Sequence, residues 1–421
     1  MSVLRCERCG DERKADGPES LSVRCRRCGA LCTVEHALGD LTAAELKSSF
    51  AARRGSGSSA VDRSGVWRFR ELVLPGFDPA SVVTLEEGRT PLLESPALEA
   101  FADLEGLRFK HEGFNPTASF KDRGMTVAVS HAASLGMKAL ACASTGNTSA
   151  SLAAYAARSG REAWVLLPRG KVAMGKLAQT RAYGARVVEV EGDFDACLRL
   201  LEETAEACGV YVANSLNPFR LEGQKTIVFE LLEQLDWVAP DWIALPAGNL
   251  GNTAAFGKAL VEAHGLGLIA RMPRLLSVQA AGAAPFAASF EGDFKQQFRL
   301  VPETVASAIR IGDPLADLGY FSTLYIDRDD PPAGMFEMSK VTREPGFPPR
   351  AELIARYEER SGRPMTDIRW YQTLALWKSI VFMEGNYKRA VSGATDDPFL
   401  HAFGEGVVEL AERAEELAHG A

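Results

Sequence analysis

Between about residue 65 and residue 310 the apolar positions fall into two alternating kinds of segment. Short runs have the length of strands and are bounded by Gly, Pro or polar residues: "KALACAS" (138–144), "AWVLLP" (163–168), "ARVVEVEG" (185–192), "VYVANS" (210–215), "WIALPAG" (242–248) and "RLLSVQA" (274–280). Between them lie longer stretches such as "TSASLAAYAARSG" (148–160) and "RLEGQKTIVFELLEQL" (220–235), whose apolar positions recur at helical spacing. The alternation predicts an α/β fold with a parallel sheet covered on both faces, because parallel neighbours need a crossover and the crossover is usually a helix. Ligands in such folds sit beyond the carboxyl ends of the strands. Three polar clusters mark that end of the predicted sheet: "HEGFNPTASFKDRG" (111–124), "ASTGNTSAS" (143–151) and "PAGNLGNTAA" (246–255).

Composition narrows the function classes. The chain has 421 residues, 46% hydrophobic and 24% charged, which suits a globular protein of two to four domains. A net charge of −8 gives no support for nucleic-acid binding. No apolar run reaches the length of a membrane span, and "MSVLRCERCG" has no apolar secretory core, so the expected location is cytoplasmic, away from any membrane. "AARRGSGSSAVDRSG" (51–65) is small and polar and reads as a linker.

Five of the eight cysteines lie in the first 32 residues. Cys6 and Cys9 form one C-x2-C pair, Cys25 and Cys28 another, fifteen residues apart, which is the spacing of a four-cysteine zinc ribbon. Gly10 and Gly29 follow the pairs and permit the tight knuckle that turns both sulfurs toward one ion. Four thiolates close the coordination sphere, so the expected zinc is structural; Cys32 is a spare thiol or an alternative ligand. The bland alternative is a set of reduced surface cysteines. The polar stretch between the pairs has too little apolar surface to fold without the metal.

Each polar cluster has a chemical and a bland interpretation. Lys121 stands beside Arg123, and a desolvated lysine near a second cation has a lowered pKa and serves as a Schiff-base amine; a lysine ahead of a helix is more often solvated. The hydroxyl-rich 143–151 segment is an anion site at a helix N-terminus, or simply a strong N-cap. The Gly-rich 246–255 segment cradles a phosphate with free N–H groups, or is a tight turn.

"NPTASFKDRG" (115–124) resembles the lysine motif of the fold-type II pyridoxal-phosphate enzymes, the group that contains threonine synthase, tryptophan synthase β and the serine/threonine dehydratases; the family usually has Gly where this chain has Ala118. The resemblance implies a tryptophan synthase β-like fold with pyridoxal 5'-phosphate held by Lys121. It implies further that Asn147 lies beside the cofactor's phenolic oxygen, that Gly248, Asn249, Leu250, Gly251 and Asn252 cup its phosphate, and that Ser144, Thr145 and Thr148 grip a substrate carboxylate. Within the group, "SGVWRFRELV", "TLEEGRTPLL", "PRGKVAMGKLAQTRAYGARVVEVEGDFDACL", "NSLNPFRLEGQKT" and "PETVASAIRIGDP" are similar to threonine synthase. That likeness places the phosphate of O-phospho-L-homoserine on Asn214, Ser215 and Arg220, with water and the substrate giving L-threonine and phosphate. Arg suits a forked phosphate contact, and a helix-start salt bridge is the bland role for Arg220. The rival functions are a serine/threonine dehydratase or β-replacement enzyme of the same fold, and a non-catalytic chimeric fusion. A homodimer is expected by analogy with the fold.

The likeness covers residues 1–313. From "IGDPLADLGY" onward the text instead resembles the helical C-terminal part of the aminoglycoside-phosphotransferase-like kinases, without their nucleotide lobe, His-Gly-Asp loop or metal-binding Asp. Trp370, Tyr371, Leu374, Trp377, Ile380, Val381 and Tyr387 approximate a helical stripe. The expected organisation is therefore a ribbon at 1–35, a catalytic α/β region of two intertwined subdomains at 36–313, and a helical tail at 314–421 that leaves the catalytic region unfinished and its activity in question.

Overall fold

The computed structural model describes residues 2–39, 41–55, 59–144, 146–169, 174–192 and 194–291. The expected junction near residue 313 and the helical tail lie outside them. The chain divides into two compact units, Met1–Ala283 with Val301–Asp317, and Ala284–Leu300 with Leu318–Ala421. Of the second, residues 284–291 are described and contain the short helix Pro285–Glu291.

The first unit begins with a three-stranded antiparallel sheet of β1 (Ser2–Cys6), β2 (Glu12–Lys14) and β3 (Cys32–His36), in the order β2-β1-β3. Leu4 and Val34 pair across it and are fully buried, in the same apolar cluster as Leu46, Phe50, Trp67, Phe69 and Phe229. The N-terminal sheet thus shares one apolar core with the segments that follow it. His131 adds to the contact, its ring within hydrogen-bond distance of the Ala15 carbonyl at 2.8 Å and of Ser20 Oγ at 3.1 Å.

The segment expected to be a linker is partly helical. Helix Ala43–Arg53 carries a capping box, with Thr42 and Glu45 hydrogen-bonded to each other's backbone, and Ser59 caps the turn Ala60–Arg63. Polar small residues there are caps, which composition alone does not distinguish from linker.

β4 (Leu92–Glu94) and β5 (Arg108–Lys110) form an antiparallel pair. A parallel sheet follows, with β6 (Ala139–Ala143), β7 (Glu162–Pro168), β8 (Arg186–Val190) and β9 (Val210–Val212) in the order β8-β7-β6-β9. β6 is buried along its whole length, as a central parallel strand requires. Its Leu140 and Cys142 face one apolar cluster, while Ala139, Ala141 and Ala143 face another. The expected parallel pairing is present, but among the described residues it is divided between two sheets. The second sheet comprises β10 (Trp242–Pro246) and β11 (Arg274–Val278). There Ile243 and Leu245 are buried, whereas Trp242, Leu276 and Val278 face water.

Five helices carry the polar clusters: α1 (Lys121–Ser134), α2 (Asn147–Arg158), α3 (Pro218–Gln224), α4 (Thr226–Gln234) and α5 (Gly251–Gly265). The helix expected over 220–235 is interrupted at Lys225. Helices α1 and α3 touch backbone to backbone. A Cβ on Gly223 would collide with the Arg123 carbonyl, and one on Gly124 would lie 2.9 Å from the Arg220 carbonyl. Only glycine permits this approach, and it brings Arg220 near enough for its charge to act on Lys121.

Candidate active site

Lys121 is the first residue of α1, three residues earlier than the apolar pattern suggested. Asp122 explains the early start. Its buried carboxylate accepts from Thr117 N (2.6 Å), Thr117 Oγ1 (2.6 Å) and Ser151 Oγ (2.6 Å), which folds the preceding loop onto the helix and ties it to α2. Ala118 in that loop has φ +59°, a conformation that favours Gly and accounts for the glycine usual at this position in similar sequences. Lys121 Nζ lies 4.2 Å from the centroid of the Phe120 ring. Burial, and after it the charge of Arg220, push the Lys121 ammonium down to about 7. The depressed pKa expected for Lys121 is therefore present, but its cationic neighbour is Arg220 and not Arg123. Arg123 is turned away into ion pairs with Glu112 (2.8 Å) and Glu230 (2.9 Å).

The loop after β6 leads into α2 through Gly146. Among the described residues no side chain caps this helix, so its first N–H groups are free for an anion. The Gly146 N–H instead donates to Ser144 Oγ at 3.2 Å, which shapes the loop. Ser144, Asn147 and Thr148 are all half-buried, and Thr145 lies outside the described residues.

The loop after β9 carries Asn214, Ser215 and Arg220. The Asn214 amide donates to the Ala143 carbonyl (2.9 Å) and accepts from the Ala143 N–H (3.0 Å), so it locks this loop to the end of β6. Asn217, which sequence reasoning missed, caps α3 by accepting from Phe219 N at 3.0 Å. The "N-P" dipeptide was its visible signal.

Arg220 is fully buried. Its Nη1 donates to the Ala213 carbonyl at 3.1 Å, but Nε and Nη2 have no partner. No ion pair holds it among the described residues, which excludes the salt-bridge role. Burial pushes it down to about 10. An Arg in this state needs an anion, because an unpaired charge away from water is strongly unfavourable.

The turn after β10 passes through Leu250 at φ +60° into α5, which has no side-chain cap. Gly248, Asn249, Gly251 and Asn252 are half-buried and Leu250 is buried. The Asn249 amide donates to Ser215 Oγ at 3.3 Å and so joins this turn to the Arg220 loop. Asn252 Oδ1 and Gln224 Oε1 are buried without partners, and a Cβ on Gly251 would lie 3.6 Å from Gln224 Oε1. Gln224, like Asp122, gave no signal in the sequence.

At the ribbon, the Sγ atoms of Cys6, Cys9, Cys25 and Cys28 all lie within 4.8 Å of one another. Gly10 and Gly29 have φ +68° and +73°, as the knuckles require. Cys32 lies outside the group, and its sulfur accepts from Arg13 Nη2 at 3.4 Å.

A family model for pyridoxal-phosphate dependent enzymes matches residues 83–328, more than half of the sequence. The chain belongs to that family. Among curated relatives it is similar to the threonine synthase of Methanosarcina acetivorans, at 41% identity over 318 residues, 75% of this chain and 74% of that one. It is also similar to the threonine synthase of Methanocaldococcus jannaschii, at 50% identity over 252 residues. That match spans 60% of this chain and 62% of the relative, less than two thirds of its length. Among solved structures, Escherichia coli threonine synthase aligns with a TM-score of 0.55 and 20% identity over 76% of this chain and 73% of that chain, a likeness of fold.

The residues present fit the family's cofactor. A lysine amine near neutrality and an uncapped Gly-rich turn at a helix N-terminus match an aldehyde and a phosphate. Among the described residues, no helix is long and apolar enough to cross a membrane.

Proposed function

We propose that this protein converts O-phospho-L-homoserine and water to L-threonine and phosphate. The observation that carries the proposal is Arg220, a buried guanidinium with two unpartnered nitrogens whose charge acts on Lys121. A dehydratase of serine or threonine has no phosphate to place there.

In this reading Lys121 holds pyridoxal 5'-phosphate, and Gly248 to Asn252 cup the cofactor's phosphate with backbone N–H groups. When bound, the cofactor supplies the electron sink for proton loss beside the substrate's amino group. The loop Ser144–Thr148 and the free N–H groups of α2 receive the substrate carboxylate, with Asn147 beside the cofactor ring. Arg220 and Ser215 receive the substrate phosphate, and Asn214 sets the loop that carries them. The Lys121 amine, held near neutrality, takes protons from the α and β carbons and returns protons to the γ and α carbons. Phosphate departs from the γ carbon and water adds at the β carbon.

The test is phosphate release from O-phospho-L-homoserine by the full chain, alongside a Lys121→Ala variant. Turnover and a visible cofactor band that both require Lys121 are expected. Pyruvate or ketobutyrate from serine or threonine, with no phosphate release, would replace the proposal with a dehydratase.

We also assign a structural zinc ion to Cys6, Cys9, Cys25 and Cys28. Tetrahedral Zn–S bonds of about 2.3 Å set sulfurs about 3.8 Å apart. The Cys6–Cys28 and Cys9–Cys25 separations are 3.4 and 3.6 Å. Metal analysis of the purified chain checks this, with one equivalent of zinc expected and none in a Cys6→Ser/Cys9→Ser variant.

A further inference from the structure

Glu222 lies two residues beyond Arg220 on α3. At 100° per residue it therefore projects from the opposite side of the helix, away from the cleft. Its carboxylate is fully buried. It contacts His36 Nε2 on β3 of the ribbon (2.7 Å), Lys225 Nζ at the end of α3 (2.5 Å) and Lys258 Nζ on α5. Lys225 in turn meets Glu262 of α5 at 2.8 Å, and Lys258 also donates to the Val34 carbonyl of β3. Two carboxylates and two ammonium groups thus close a neutral ring, with His36 as its link to the ribbon. Burial works against charge on Glu222, yet Lys225, Lys258 and His36 outweigh it and hold the carboxyl well below its usual range.

The ring ties together three elements that end in the cleft or support it. Helix α3 presents Arg220. Helix α5 begins at the Gly-rich turn, and Lys258 lies seven residues along it, on the same face as Gly251. The ribbon closes the back. Arg220 has no counter-ion of its own, and α3 is only seven residues long, too short to hold itself in place.

We propose that Glu222 is a positioning residue that holds the unpaired Arg220 in register with the turn Gly248–Asn252, so that the cofactor phosphate and a second, substrate-borne phosphate are received at a fixed separation. The assignment rests on the proposed role of Arg220.

The test is calorimetric binding of inorganic phosphate to the full chain loaded with pyridoxal phosphate, with Glu222→Gln, His36→Leu and Arg220→Gln. Misplacement of a binding group by an ångström is enough to weaken Glu222→Gln about tenfold. The KM for O-phospho-L-homoserine should rise by the same factor while kcat stays within about twofold, a split that mere loss of folded protein does not produce. An electrostatic role predicts the reverse, since removing a negative charge near Arg220 tightens anion binding. Unchanged or tighter phosphate binding by folded Glu222→Gln overturns the inference. If Glu222→Gln does not fold, His36→Leu decides, because it cuts the link to β3 while leaving Glu222, Lys225 and Lys258 in place: about threefold weaker binding supports the inference, and unchanged binding overturns it. Arg220→Gln separates the two levels. If it leaves phosphate binding intact, the role of Arg220 fails and the inference with it. If it abolishes binding while Glu222→Gln and His36→Leu do not weaken it, the inference alone fails.

Discussion

Two arginines in this molecule are equally buried and have opposite surroundings. Arg123 meets Glu112 and Glu230, and Glu230 also holds Lys110 at 2.6 Å and lies 3.8 Å from Arg68. Burial works against the charge of Arg123, but the two carboxylates outweigh it and raise its pKa above the usual range. Arg220, one helix away, has a single carbonyl and two nitrogens without a partner. A charge whose partners are all protein holds the fold together. A charge left without partners in the same interior is kept for something that arrives from outside. The contrast separates scaffold from site without reference to either residue's place in a motif.

Stability and binding should therefore respond in opposite ways to the two substitutions. Arg123→Met takes from Glu112 its ion-pair partner and from Glu230 one of its three, and should lower unfolding free energy by about 3–5 kcal/mol in a denaturant titration. Arg220→Met removes an uncompensated charge. It should leave stability within about 1 kcal/mol of the parent or above it, while phosphate binding is lost. A large stability loss in Arg220→Met would break the comparison.

The glycine contact that brings the two helices together sharpens it. Gly223→Ala sets a Cβ against the Arg123 carbonyl and should cost about 2–3 kcal/mol while separating Lys121 from Arg220. Thermal unfolding and phosphate affinity should both fall.

A smaller effect concerns Lys121. A neighbouring cation disfavours its ammonium form, so Arg220→Gln should raise its pKa from about 7. Arg123→Gln should not. The pH dependence of cofactor loading measures this, and an equal shift in both variants would show that Arg123 also acts on Lys121.

The least conspicuous outcome is the acid limb of stability. Burial opposes the Glu230 carboxylate, but Arg123, Lys110 and Arg68 outweigh it and hold its pKa far below the unfolded value of about 4.5. Its contribution is present above the unfolded pKa and is lost as pH falls below it toward the folded one. Glu230→Gln should flatten the loss of stability below about pH 4.5, in a pH series of thermal midpoints.

Much of this was readable from the chain. The six apolar runs became six strands because continuous or alternating apolar positions are a local property of the text, and the strand bounds moved by only a few residues. The clustering of Cys6, Cys9, Cys25 and Cys28 was legible from their spacing. The start of α1 was not, because it depends on Asp122 reaching back to Thr117 and across to Ser151. The segment 51–65 differs from the expected linker for the opposite reason: Ser59 is a cap only once a helical turn follows it.

The sequence by itself determined the alternation of strands and helices, the polar clusters that follow the parallel strands β6 and β10, and the cysteine knuckles; the Lys121 cluster follows the antiparallel strand β5 instead. Each follows from neighbours within about a dozen positions. It also named Lys121 and Arg220, but as members of separate segments. Only the tertiary structure decided that the charge of Arg220 acts on Lys121, that Arg123 is the paired arginine and Arg220 the unpaired one, and that Glu222 ties α3 to β3 through His36. The physical reason is that pairing and desolvation depend on distance in space, and here that distance is set by two glycines, Gly124 and Gly223, where helix backbones meet.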